Sequence, residues 1–203
     1  MAQHSKIIVT IANSNDAPGV YNAFKQNLVK IRNFNKIPKK QSKILENEGF
    51  LRKEVNIEYY QHLIEDRGID IYVAKNKGGK IIGFASIHKD KFNIYNFRST
   101  LDNLYVEDPE IEALLINEEK KFNYLDQISI LPEYKRRGIG TALLVEIIAK
   151  SKLPIVAFIV DAPLANIASA HWHKYNGFKL KATCDGKYKE TKFIWSIYIH
   201  FRK

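Results

Sequence analysis

The chain has a single cysteine, Cys184, so it holds no internal disulfide, and that economy fits a reducing cytosol. No apolar run reaches the roughly 20 residues of a membrane-spanning helix. The longest, "ALLVEIIA" and "LPIVAFIV", stop well short of it. The start, "MAQHSKIIVTIAN", lacks the order of cationic, apolar and small residues found in a secretory leader, and a cytoplasmic location without membrane contact is expected. No Pro/Gly-rich linker, low-complexity tract or internal repeat interrupts the 203 residues. They suit one domain spanning 1–203, with an insertion at about 90–122.

What is present is an ordinary globular composition, 45% hydrophobic and 27% charged, enough to bury a real core. The net charge of +10 raises the question of nucleic acid. The lysines are scattered rather than gathered in a stripe, with "KIPKKQSK" (36–43) the densest cluster, so nucleic acid is not the expected partner. Excess positive charge equally favours a phosphorylated small ligand.

Periodicity predicts a first strand over 6–13 and a helix over 15–34, with Val20, Phe24, Leu28 and Ile31 on its apolar side. A polar, basic stretch to about 53 carries no clear element, and a short helix follows over 56–66 with Asn56 as its cap. Strands over 69–75 and 80–89 flank the turn signal "NKGG". The segment 90–122 carries Asp108-Pro109 and a short helical stretch, "EIEALLINEEKK" (110–121). Then comes a strand over 122–131 and a helix over about 138–150 with Ile139, Ala142, Leu143 and Ile147 on one face. A buried-type strand (153–160), a helix ending near Gly177, and two strands forming a hairpin around Asp185-Gly186 complete the chain. The strand–helix–strand crossover at 123–160 within an antiparallel meander predicts a mixed α/β sheet.

"EYKRRGIGTALL" (133–144) puts two glycines and three cations where that central helix must start, although glycine costs a helix roughly 1 kcal/mol against alanine. Helix N-termini carry N–H groups without intrahelical acceptors and bind anions. Gly138 and Gly140 let a phosphate approach the backbone; Lys135, Arg136 and Arg137 add charge, and Thr141 adds a hydroxyl. The alternative is that the glycines only ease a tight turn. A dinucleotide fingerprint is excluded because Leu143 stands where its third glycine belongs, and no Gly-Lys-Ser/Thr triphosphate loop is present.

"DQISILPEYKRRGIGTALL" resembles motif A of the GCN5-related N-acetyltransferase (GNAT) superfamily, Gln/Arg-x-x-Gly-x-Gly/Ala, with Lys135 in the first position. "NIASAHWHKYNGF" resembles that family's second signature, with Asn166, Gly177 and Phe178 in register, His173 where many members carry tyrosine, and Ser169 in place of alanine. The resemblance implies a GNAT fold, a mixed and mostly antiparallel sheet flanked by helices. It also implies transfer of an acetyl group from acetyl-CoA to an amine, with no metal.

On that resemblance, backbone groups of Ile128 and Ile130 would lie along the pantetheine arm, and Lys135, Arg136, Arg137, Gly138, Ile139, Gly140 and Thr141 would surround the pyrophosphate. Asn166 would bond the pantetheine. His173 would occupy the place of the proton donor to the thiolate. One branch of the family carries its general base fourteen residues before the first motif glycine, where this chain has Tyr124. Asp126 shares a strand face with Tyr124, Ile128 and Ile130 and could accept the amine's proton directly or through water, or simply pair with a lysine. His171 and His173 do not form a metal pair, since positions two apart point to different faces of a helix.

The acceptor, a small molecule or a peptide or protein, carries no readable motif; Tyr59, Tyr60, His62 and Tyr95 either line its pocket or pack. A homodimer is left open. Two other functions remain: a catalytically silent acyl-CoA-binding domain, which would keep the phosphate loop alone, and a basic nucleic-acid-binding module.

Overall fold

Residues 7–29, 37–51, 55–89, 103–117, 119–188 and 191–202 are described by a computed structural model. The described elements begin with β1 (Ile8–Ile11), α1 (Ala17–Lys25), α2 (Lys39–Glu48), α3 (Ile57–Glu65), β2 (Ile69–Lys75) and β3 (Ile81–His88). They continue with β4 (Asn103–Tyr105), α4 (Pro109–Ile116), β5 (Asn123–Ile130) and α5 (Ile139–Lys150). The last are β6 (Ile155–Ala162), α6 (Ile167–Tyr175), β7 (Lys179–Tyr188) and β8 (Thr191–His200).

The chain forms two units. The first comprises Met1–Lys30, Leu51–Lys89 and Leu125–Lys152. Its strands run in the order β1-β2-β3-β5, with β1/β2 and β2/β3 antiparallel. Helix α3 starts where Asn56 accepts from Tyr59 N, while α1, with Pro18 in its first turn, follows a 3-10 turn (Ser14–Asp16) that Asn13 and Asp16 cap reciprocally. Each helix then presents apolar residues at helical spacing, Val20, Ala23 and Phe24 from α1 and Tyr60 and Leu63 from α3. Tyr60 is the hub, with ring centroids 5.6 Å from Phe24 and 5.5 Å from Phe84. Its hydroxyl donates to Gln127 Oε1 at 2.7 Å, so a buried polar tip is paired. Asn27 donates to both Ser129 Oγ and the Ile130 carbonyl at 2.9 Å, which ties the end of α1 to β5.

The second unit comprises Ile31–Phe50, Asp90–Tyr124 and Leu153–Lys203. Its strands run β6-β8-β7-β4, antiparallel throughout, and the first residues of β5 pair parallel with β6 through Asn123↔Ile155 and Tyr124↔Val156. The core gathers Ile111 and Leu115 of α4 with Phe122, Val156, Ala182, Cys184, Ile197 and Ile199.

Several expectations are corrected. Helix α1 ends at Lys25, not 34, and Leu28 leaves it to bridge Leu51; Ile31 lies outside the described residues. The featureless basic stretch contains α2, whose apolar residues are only the adjacent Ile44 and Leu45 and which buries none of its residues, so its polar composition hid it. The hairpin does not turn at Asp185-Gly186. Both residues sit inside β7, opposite Ile194 and Phe193, and the strands continue to Lys187↔Lys192 and Tyr188↔Thr191. The turn signal was overridden because Asp185 is held by Lys192 Nζ at 2.6 Å and Asn103 Nδ2 at 2.8 Å. The hydrogen bonds from Lys192 and then from Asn103 hold its carboxyl below the usual carboxylate range. Within 90–122 lie strand β4, which was not expected, and helix α4, where a short helical stretch was expected and which joins the core; 90–102 lies outside the described residues. Ala142 is only half-buried, and Leu144 takes its place on the apolar face of α5.

Candidate active site

The glycine loop expected to hold a phosphate belongs to the first unit. Pro132–Tyr134 forms a short 3-10 turn at the end of β5, and Glu133 sits exposed on it, 3.6 Å from Lys80. Arg137 lies over the Tyr134 ring at 5.4 Å from its centroid. The backbone then enters the left-handed region twice, at Arg136 (φ 60°) and at Gly138 (φ 77°), which is the residue capping α5. An L-residue in that region is strained, and Arg136 is the only non-glycine to adopt it among the described residues. Left-handed residues interleaved in a turn direct successive N–H groups into one anion-binding concavity.

The first intrahelical bond runs from Ala142 N to Gly138 O at 2.9 Å, so the amides of Ile139 and Gly140 precede the helical ladder. The Ile139 side chain is buried in the core, which leaves its backbone as the part able to meet a ligand. Space in front of Gly138 is open, since a Cβ built there meets nothing within 4 Å. Lys135, Arg136 and Thr141 each make a further contact.

Upstream, β5 alternates strictly between buried and half-buried residues. Asn123, Leu125, Gln127 and Ser129 are buried; Tyr124, Asp126, Ile128 and Ile130 form the half-open face. The sharing of one face expected of these four residues is thus present. Tyr124 packs edge-on against Phe158 at 5.9 Å within the second unit. The Asp126 Oδ2 atom is buried without a hydrogen bond, and His88 Nε2 of β3 lies 3.8 Å away. His88 carried no signal in the sequence, because the cross-strand register that brings it to Asp126 is not a local pattern. Of the aromatic pocket candidates, Tyr60 is core, Tyr59 packs on it at 5.3 Å, and Tyr95 lies outside the described residues.

In the second unit, Asn166 caps α6. Its Oδ1 accepts from Ser169 N at 3.3 Å and its Nδ2 donates to the Phe50 carbonyl at 3.0 Å, so both ends of the amide already serve the fold. One Oδ1 lone pair remains. His173 is 2% exposed and packs edge-on against Trp172 and Phe178. Its Nδ1 lies 2.7 Å from the Ser169 carbonyl, which only accepts, so Nδ1 carries the proton and Nε2 is a bare, buried acceptor. Burial lowers its pKa to about 4, against the smaller opposing effect of the Ser169 carbonyl. His173 is therefore neutral at neutral pH. Among the described residues no three His, Cys, Asp or Glu side chains gather as a metal site, and no helix is long and apolar enough to cross a membrane.

The family model described as "Acetyltransferase (GNAT) family" matches residues 40–178, well over half of the chain. No curated protein matches the chain significantly in sequence. Solved structures do match. A protein of Desulfovibrio desulfuricans assigned to the GNAT family superposes with a TM-score of 0.60 at 12% identity, covering 96% of this chain and 98% of its own. NAA60 of Arabidopsis thaliana, solved with acetyl-CoA, gives 0.55 at 14% identity, covering 97% and 100%. A structure from Corynebacterium glutamicum named for histone acetyltransferase HPA2 and related acetyltransferases gives 0.56 at 15%, covering 98% and 99%. At such identities the likeness is one of fold: a mixed, mostly antiparallel sheet flanked by helices.

Proposed function

This chain belongs to the GNAT acetyltransferase family, and from that premise we propose that it moves an acetyl group from acetyl-CoA to the amine of a small molecule, peptide or protein. The observation that carries the reading is the left-handed pair Arg136 and Gly138 opening α5. A chain does not place a strained arginine and a left-handed glycine facing open space at a helix start for propensity's sake. Amides from about Arg136 to Thr141, with the Lys135, Arg136 and Arg137 charges, hold the pyrophosphate of the donor. Backbone groups of Ile128 lie along its pantetheine arm; the Ile130 carbonyl is already taken by Asn27.

The acceptor must be a neutral amine to attack, and the carboxylate of Asp126 on the half-open face of β5 draws off its proton. His173 has no proton at Nε2 to give the leaving thiolate, so we assign that proton to solvent. Thiols, with ordinary pKa values near 8.5, leave tolerably without an acid.

The test is a thiol-release screen with acetyl-CoA over polyamines, amino acids, aminoglycosides and peptides with free N-termini, beside calorimetry with coenzyme A. Micromolar coenzyme A binding with turnover of at least one amine is expected. Binding without any turnover would leave a silent acyl-CoA-binding domain, and salt-sensitive binding of DNA or RNA in place of coenzyme A would reverse the reading.

A further inference from the structure

A buried carboxylate oxygen without a hydrogen bond costs free energy and asks for a reason. Asp126 Oδ2 is such an atom. The group facing it is His88 Nε2, at 3.8 Å; the two side chains are 19% and 20% exposed. That separation is longer than a formed hydrogen bond yet within ion-pair reach, and catalytic hydrogen bonds commonly tighten only once substrate is bound. Among the described residues, titratable groups beside the pair have partners of their own. Tyr60 of α3 donates to Gln127, and burial pushes its pKa well above the ordinary tyrosine range, so it stays neutral. Tyr59 packs on that ring, and Lys89, next to His88, is paired with Asp70 of β2 at 2.9 Å.

An isolated carboxylate is a weak base for an amine, whereas an imidazole is matched to neutral pH. A carboxylate behind one ring nitrogen fixes the tautomer and stabilises the imidazolium that forms. We propose that His88 and Asp126 act as a dyad that takes the acceptor's proton, with His88 the catalytic residue and Asp126 the positioning residue behind it. The proposal rests on the acetyl-transfer reading and changes one role in it: Asp126 acts through His88. The amine nitrogen attacks the thioester carbonyl carbon, the new N–C bond forms, and the C–S bond breaks with its electron pair leaving on sulfur. The amine's proton passes to His88 Nδ1 and on to water, while the thiolate takes a proton from water. The products are an amide and coenzyme A.

The experiment uses the full chain and the most rapidly acetylated amine of the screen. His88→Gln should lower kcat at pH 7 about 100-fold, with the Kd for coenzyme A within twofold of the parent. Asp126→Asn should lower kcat at least tenfold and move the acid limb of the pH–rate profile to lower pH. The double variant should be no slower than His88→Gln, because the two act as one unit. Added imidazole should restore part of the rate of His88→Ala, a recovery that a purely structural histidine would not show. Rates within twofold of the parent for His88→Gln, or a double variant slower by the product of the single effects, overturn the dyad. If the parent binds coenzyme A but acetylates no amine, acetyl transfer itself fails and the dyad's role falls with it.

Discussion

His173 is the residue whose surroundings most change its chemistry. Unfolded, it titrates near 6.5; folded, near 4, because the fold offers the imidazolium no water. The folded pKa is the lower one, so the unfolded chain binds the extra proton as pH falls from about 6.5 towards 4. Its contribution to stability is therefore complete above pH 6.5 and is lost below it. Between pH 8 and pH 5 this should remove about 2 kcal/mol. His173→Phe should lose correspondingly less than the parent over the same interval, as urea denaturation at the two pH values would report. Equal losses in both proteins would show that His173 is hydrated and not buried. Gly138 gives the second test. At φ 77° any Cβ is strained, so Gly138→Val should cost about 1–2 kcal/mol and also fill the open space before the loop. Gly138→Asn tolerates the left-handed backbone and isolates the second effect. Both variants should bind coenzyme A at least tenfold more weakly; unchanged affinity in folded protein rejects the phosphate loop.

Elements that announced themselves in the sequence did so through local patterns. Strand β2 matches its expected range, and β3, β5 and α5 match within a residue at each end, because alternation, a turn signal and a glycine start are read within a few residues. Elements that were missed owe their existence to partners far away in the chain. Strand β4 has three residues and exists by pairing with Thr183, Cys184 and Asp185 of β7. Helix α2 packs on α6 without burying a residue. Helix α4 should prove integral: Leu115→Ala is expected to cost about 2–5 kcal/mol by opening a cavity among Phe122, Val156 and Cys184. A loss under 1 kcal/mol would make 103–117 a dispensable appendage. Gly83 marks the close approach of β3 to β5. A Cβ there would stand 2.5 Å from Ile130 Cδ1 and 3.0 Å from the Ser129 carbonyl. Gly83→Ala should thus destabilise by about 1–3 kcal/mol. Adding Ile130→Val should recover only part of this, since the carbonyl cannot move away.

At the scale of the whole molecule, the charge of +10 becomes a statement about ligands. Coenzyme A carries several phosphate charges, so its affinity should weaken steadily from 50 mM to 500 mM salt as the field is screened. A ligand present at a hundred times its Kd adds about 2.7 kcal/mol to the stability of the state that binds it. For a chain of this size that corresponds to a rise in Tm of about 5–10 °C. Duplex DNA at equal charge concentration should leave Tm unchanged. A rise with DNA and none with coenzyme A would turn the charge into a nucleic-acid signature.

The sequence alone determined the glycine-started junction into α5 and the order of the central elements, because a glycine pair, a run of cations and a strand-to-helix junction are contiguous in the chain. It also determined the half-open face of β5, since a strand alternates with a period of two and Tyr124, Asp126, Ile128 and Ile130 obey it. Only the tertiary structure decided what those side chains meet. That Asp126 faces His88, 38 residues earlier in the chain, follows from how β3 lies along β5, which no local spacing encodes. That His173 is neutral follows from the closing of Trp172, Phe178 and Tyr198 around it, because a proton affinity is a property of surroundings and not of a letter. That Asp185 stays in a strand follows from its pairing opposite Ile194, with Asn103 and Lys192 from neighbouring strands satisfying its carboxylate, partners that no local turn pattern reveals.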